Sequence, residues 1–246
     1  MHVIKDNERY DLPKLSALTG LSVSTRNTAT SKMFQHGGLN TADNKVDYRE
    51  IEISIFINGK NQRDYLAQVD ELKRYLVRAN QKLYITEDRY INISSLSSIS
   101  EEFLSGYYLT RGNLTVTLMA LDPFFYSAYD VQHSVTITAT GQQFYVNHPG
   151  NIDTPVIITI TASELLSNIS LCNETDNGRL MTYSDANFTA STSLVISNID
   201  GTVELDGDNT INNFSGTFLS LLSGDNLFTW TGGSCTITMN YSVRWL

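Results

Sequence analysis

The stretch NLTVTLMALDPFFYS, Asn113 to Ser127, decides how the chain is divided. Thr and aliphatic residues alternate from Asn113 to Ala120, the pattern of a strand with one buried face. The run then breaks at Asp122-Pro123 and crowds Phe124, Phe125, Tyr126 and Tyr129 into six residues. Proline has no amide hydrogen to give a ladder and biases its predecessor toward extended or turn geometry, so Pro123 marks where the strand leaves its sheet. The aromatic residues then need burial elsewhere.

The charge changes at the same place. Residues 1–130 carry 15 Lys and Arg against 16 Asp and Glu, whereas residues 131–246 carry only Arg179 and Arg244 against 10 acids. A near-neutral half followed by an acidic half predicts two domains, 1–127 and 128–246. A hydrophobic content of 41% over 246 residues is enough for real cores. The net charge of −9 argues against phosphate-backbone binding, which needs clustered cations. No run reaches the ~18 apolar residues of a membrane span, and MHVIKDNERYDL lacks the apolar centre of a signal peptide. Synthesis and folding in a cytoplasm are expected.

The first half predicts a small α+β unit. EIEISIFI (Glu50 to Ile57) places Ile51, Ile53, Ile55 and Ile57 on one face of a strand, and the following NGK predicts a turn. Tyr65, Leu66, Val69, Leu72, Leu76 and Val77 then recur at helical spacing. Asn61 is placed to cap that helix, with Asp64 three residues on. KLYIT and RYINIS flank Glu87-Asp88 as a hairpin, and YYLTRGNLTVTLMA predicts a strand pair turning at Arg111-Gly112. The polar segment Ser24 to Asp47 has no sustained period. It predicts an extended arm or large hairpin loop, ordered against a partner through Met33, Phe34 and Leu39.

The second half predicts no helix. SVTITA, PVIITIT, RLMTYS, SLVISN, TVELD, GTFLSLL, NLFTW and SCTITMNYSVRWL alternate between turns such as PGN, DNG, DGDN and TGG. Short strands at even spacing indicate an antiparallel sandwich or jelly roll, so the fold class is mainly β.

Catalytic and metal chemistry find little support. His2, His36, His133 and His148 form no HxH or HxxxH pattern, and P-loop, GxSxG and GxGxxG sequences are missing. Asp206 and Asp208 in LDGDNT lack the further oxygen ligands of a calcium loop, which favours a hairpin turn. Glu101 and Glu102 are strand neighbours on opposite faces and so cannot flank one glycosidic bond. Cys172 and Cys235 predict buried reduced thiols, with a disulfide between them the alternative. Trp230, Tyr183, Phe188 and Tyr241 are the candidates for stacking on a sugar ring, against the plainer reading that they belong to the core.

The order of these features resembles the distal tail protein family of long-tailed bacteriophages. An α+β domain runs into ALDPFFYS; NHPGNIDTPVIITIT opens the sandwich, and GTFLSLLSGDN with TITMNYSVRWL closes it. The resemblance covers nearly the whole chain. It implies a non-enzymatic virion protein with no cofactor, built from a ring-forming belt domain and a galectin-like sandwich. It also implies a homohexameric ring, assembled in the host cytoplasm, that joins the tail tube protein to the tail-tip protein or tail-associated lysin and docks receptor-binding protein. In that frame Asp122 and Pro123 end the last belt strand, and Phe124, Phe125, Tyr126 and Tyr129 fill an inter-domain hinge. The competing reading of these aromatics is that they finish the belt core. The competing function is a carbohydrate-binding module that anchors the particle to the host wall. Clustered His, Asn, Arg, Glu and Trp of the kind galectins use are not found.

Overall fold

The computed structural model describes residues 1–14, 16–21, 29–31, 38–40, 45–107 and 109–246. They form two compact units, Met1–Ala128 and Tyr129–Trp245.

The N-terminal unit contains β1 (His2–Lys5), β2 (Glu8–Asp11), β3 (Ser16–Thr19), β4 (Ala29–Ser31), β5 (Gly38–Asn40), β6 (Arg49–Asn58), α1 (Gln62–Leu76), β7 (Gln81–Tyr84), β8 (Arg89–Ile93), β9 (Ser95–Phe103) and β10 (Arg111–Ala120). One antiparallel sheet has the order β3-β6-β10-β9, with Ile55 opposite Leu114, Ile53 opposite Val116 and Ile51 opposite Leu118. That register puts every inward apolar residue of the two central strands on one face, which α1 covers with Tyr65, Val69, Leu72 and Leu76. A second sheet runs β2-β1-β7-β8 and continues into the first residues of β11 (Phe125–Ile137). Its Val3, Leu83 and Ile91 join the same core.

Helix α1 starts where the sequence predicts. The Asn61 side chain accepts the Asp64 amide at 2.9 Å, and the Asp64 carboxylate accepts the Lys60 amide at 2.7 Å. Two amides that the first turn leaves unpaired are thereby satisfied. Leu66 and Val77, expected on the buried face, are both exposed. Leu66 lies 100° around from Tyr65, beyond the stripe that meets the sheet, and Val77 is the C-cap.

The expected turn at Arg111-Gly112 is a second correction, because both residues lie inside β10 and the chain reverses between Phe103 and Arg111. Gly112 is there for close approach: a Cβ would lie 2.5 Å from the Tyr65 hydroxyl and 2.6 Å from the Glu102 carbonyl. Glu101 and Glu102 do face opposite ways. Glu101 accepts from Lys73 of α1 at 3.0 Å, while Glu102 points outward. Within segment 24–47, Met33 and Phe34 lie outside the described residues, and Leu39 sits in β5, paired with Thr30 of β4.

The C-terminal unit continues β11 and adds β12 (Gln143–His148), β13 (Thr154–Pro155), β14 (Ile157–Ala162), β15 (Asn168–Asn173), β16 (Arg179–Ser184), β17 (Ser193–Ser197), β18 (Thr202–Leu205), β19 (Asp208–Asn209), β20 (Phe214–Gly216), β21 (Ser220–Leu221), β22 (Gly224–Thr231) and β23 (Cys235–Trp245). One sheet is ordered β19-β18-β17-β14-β23-β11 and the other β12-β22-β15-β16-β20. Ile158, Ile160, Leu194, Ile196, Ile237 and Met239 of the first share one core with Val146, Leu171, Met181, Phe228 and Trp230 of the second. This is the β-sandwich that the alternating runs predict. The fold class of the whole chain is mainly β.

Three details differ from the sequence reading. SVTI is not a separate strand but the end of β11; QFYVNH and NISLCN are strands that the reading passed over; and GTFLSLL is broken between β20 and β21. The LDGDNT turn is the expected hairpin, with Asp206 and Gly207 at φ 49° and 92° between paired Leu205 and Asp208. Two successive positive φ values mark the turn type whose twist matches the flanking strands.

Candidate interaction surfaces

The LDPFFYS segment is held by its own neighbours. Pro123 is buried beyond the end of β10, and the Asp122 carboxylate accepts from the Phe124 amide at 3.4 Å and from the Tyr126 hydroxyl. Pairing of Phe125 with Ile91 and of Tyr126 with Tyr90 then fixes the start of β11. Alternation sends the two rings to opposite faces. Phe125 packs against the N-terminal core, beneath the Arg49 guanidinium at 4.5 Å, and Tyr126 stacks on Tyr90 with centroids 5.8 Å apart. Tyr129 is 70% exposed.

Tyr126 belongs to a larger feature that sequence reasoning missed. His2, Tyr84, Tyr90 and Tyr126 are successive cross-strand partners on β1, β7, β8 and β11. Their rings run in a row at 4.5, 5.3 and 5.8 Å, on the sheet face opposite Leu83 and Ile91. The Lys82 ammonium lies 4.3 Å from the Tyr90 ring. The hairpin reading of KLYIT and RYINIS contained the signal, since Tyr84 and Tyr90 flank its turn symmetrically and pair directly. Nearby, Arg9 is shared between Asp11 and Glu87, and those hydrogen bonds hold the Glu87 carboxyl below its ordinary range.

Arg49 is the other missed residue. It begins the in-phase series Arg49, Ile51, Ile53, Ile55, Ile57, and the strand buries it with them at 2% exposure. Its Nη1 donates to the Leu21 carbonyl at 2.6 Å. Gly20, at φ 78°, allows that contact, because a Cβ there would stand 2.3 Å from the Glu50 carbonyl oxygen. Nε and Nη2 of Arg49 have no hydrogen-bond partner, and burial pushes the guanidinium below its ordinary value.

The aromatic residues proposed for sugar stacking are not available for it. Trp230, Phe188, Tyr183 and Tyr241 are all buried in the C-terminal core. The Trp230 indole donates to the Gly233 carbonyl at 3.0 Å. Tyr183 donates to Asp185, and Tyr241 to the Asn147 carbonyl at 2.6 Å. Cys172 and Cys235 are free thiols, and burial pushes Cys235 up to about 12. Among the described residues no cluster of His, Cys, Asp and Glu could hold a metal ion.

These two units define a tail-component architecture. Residues 149–245 match the sequence model of the siphovirus-type tail component, C-terminal domain, and the C-terminal unit is a domain of that family. In fold, the chain is similar along its full length to the Dit protein of phage SPP1, described as a paradigm of the hub adsorption apparatus in phages infecting Gram-positive bacteria. The likeness has a TM-score of 0.77 at 14% identity and covers 100% of this chain and 99% of that one. A chain of the phage P2 baseplate in its activated conformation with Ca gives a TM-score of 0.45 at 7% identity, over 97% of this chain and 96% of that one. No curated protein matches the sequence. The distal tail resemblance of the sequence thus holds for the C-terminal domain and for the fold.

Proposed function

We propose that this chain is the distal-tail hub of a siphovirus-type phage tail, and that it works through protein surfaces rather than catalytic groups. Six N-terminal units form a belt ring that joins the tail tube to the tail-tip protein or tail-associated lysin. The C-terminal unit is the module available for receptor-binding components. The observation that carries this reading is the full-length likeness in fold to SPP1 Dit, supported by the tail-component domain at residues 149–245. The charge division agrees with it, since close packing of six copies is easier for a near-neutral unit than for an acidic one. In this reading Asp122 to Tyr126 anchor the chain as it leaves the belt, and the segment containing Leu39 touches a neighbouring subunit.

The carbohydrate-binding reading has no observation in its favour, because the rings it needs are core residues. Size-exclusion chromatography with light scattering tests the hub. A particle of six times 27.5 kDa, ring-shaped in negative stain, is the expected result. A protein that stays monomeric at tens of micromolar overturns it. Deleting Thr30 to Asn40 should weaken the ring without unfolding the N-terminal unit, and an undiminished ring removes the contact assigned to that segment.

A further inference from the structure

Arg49 carries a full positive charge in a site where nothing described neutralises it. A buried charge without a partner is costly, and proteins retain one where an opposite charge arrives from outside the protomer. The geometry of the vacancy is specific. Nη1 is committed to the Leu21 carbonyl, and the two unpartnered donors, Nε and Nη2, form one side of the guanidinium. That side is a planar two-donor fork, matched to the two oxygens of a carboxylate.

The groups holding the guanidinium also form the wall of a cleft. Leu21 and Phe125, the residues touching Arg49, line a space of about 210 Å³ together with Ile85, Thr86 and Arg89. The space is mostly apolar, with one hydroxyl and a second guanidinium at its boundary. A single negative charge suits it better than a dianion, because each charge brought in must shed its water.

We propose that this cleft receives the carboxylate of an acidic side chain from a second copy of the chain, closing on the Nε–Nη2 fork of Arg49 between Leu21 and Phe125. The choice of a second copy rests on the ring reading above and on charge complementarity. The same unit displays Glu50, Glu52 and Glu102 as exposed acids on the outward face of the β3-β6-β10-β9 sheet, on strands other than those that wall the cleft with Ile85 and Arg89. A cationic cleft and an acidic face on one unit are the two halves of a head-to-tail contact, which closes into a ring when its rotation allows.

Arg49→Met tests the site and its occupant separately. The first measurement is the melting temperature of the dilute full-length protein in propionate, against chloride and phosphate at equal ionic strength. Propionate should raise the wild-type value by several degrees and leave Arg49→Met unmoved. Equal response of both proteins, or a larger response to phosphate, overturns the carboxylate assignment. The second measurement is self-association by light scattering. Arg49→Met should assemble at least tenfold more weakly while melting no earlier than wild type when dilute, because the substitution removes an unpaired buried charge. Earlier melting with unchanged assembly makes Arg49 a structural residue only and overturns the proposal. Wild-type protein that responds to propionate yet never self-associates retains the carboxylate site, and overturns both the second copy as its source and the ring reading.

Discussion

Trp230 separates the two functional readings by a single substitution. If it were a sugar platform, Trp230→Ala would abolish glycan affinity and leave stability nearly untouched. Here the ring is fully buried, its indole N–H is committed to Gly233, and Gly232 is required beside it because a Cβ would stand 2.8 Å from the ring. Truncation should therefore cost about 3–5 kcal/mol, the range for emptying a large aromatic site in a core. Trp230→Phe should cost less, about 1–3 kcal/mol, from the lost volume and the unpaired Gly233 carbonyl. Trp230 and Trp245 are the chain's two tryptophans, so emission reports the C-terminal unit alone and avoids mixing two unfolding transitions. In Trp230→Ala the probe is Trp245. With a urea slope of ~2 kcal/mol/M, a 4 kcal/mol loss moves the midpoint down by about 2 M. A shift below ~0.5 M would show that the site does not behave as a core and refute the reasoning.

Asn61→Ala should destabilise the N-terminal unit by ~1 kcal/mol, because the Asp64 amide loses its acceptor; tyrosine near-ultraviolet circular dichroism follows that unit, and an unchanged transition would contradict the cap. Cys235, pushed up to about 12 and buried, should resist Ellman's reagent in native protein at pH 8, while the partly exposed Cys172 reacts first; the reverse order would be inconsistent with the packing. Asp185 accepts the Asn187 amide at 2.8 Å and the Asn213 side chain at 2.7 Å, and these bonds hold its carboxyl below the ordinary 3.8. A depressed folded value contributes stability above the unfolded value and loses it as pH falls below about 4, so Asp185→Asn should flatten the acid limb of the C-terminal unit's stability curve between pH 4 and pH 2.

The fold was legible wherever one side of an element is wet. The period-2 pattern of Glu50 to Ile57 and the spacing of Tyr65, Val69, Leu72 and Leu76 carry their own orientation, and Asn61 names the residue at which the helix begins. Glycines were harder. The Arg111-Gly112 pair resembles a turn, and only the tertiary approach of Tyr65 explains why a strand needs glycine there. The aromatics of LDPFFYS show a related limit. Composition says that they need burial, but the choice between faces depends on which neighbour pairs with β11, and that pairing is long-range. The sugar-site candidates failed because side-chain type does not separate a ring that faces the core from one that faces water.

Arg49 and the His2–Tyr84–Tyr90–Tyr126 row break the local rules that the rest of the N-terminal unit obeys. An arginine occupies a core phase of β6, and three half-buried tyrosines lie on the face turned away from the core. A chain that otherwise matches periodicity, capping and turn chemistry to its fold has no local reason for either departure. Both features sit around one strand start, where Phe125 meets the guanidinium and Tyr126 meets Tyr90. The aromatic step after Asp122-Pro123 thus supplies a wall of the charged cleft on one face and the last ring of the row on the other. Substitution of Phe125 by leucine keeps the apolar volume but removes the ring that the guanidinium stacks on. It should therefore shift propionate binding more than it shifts folding, whereas Tyr126→Leu should leave propionate binding intact.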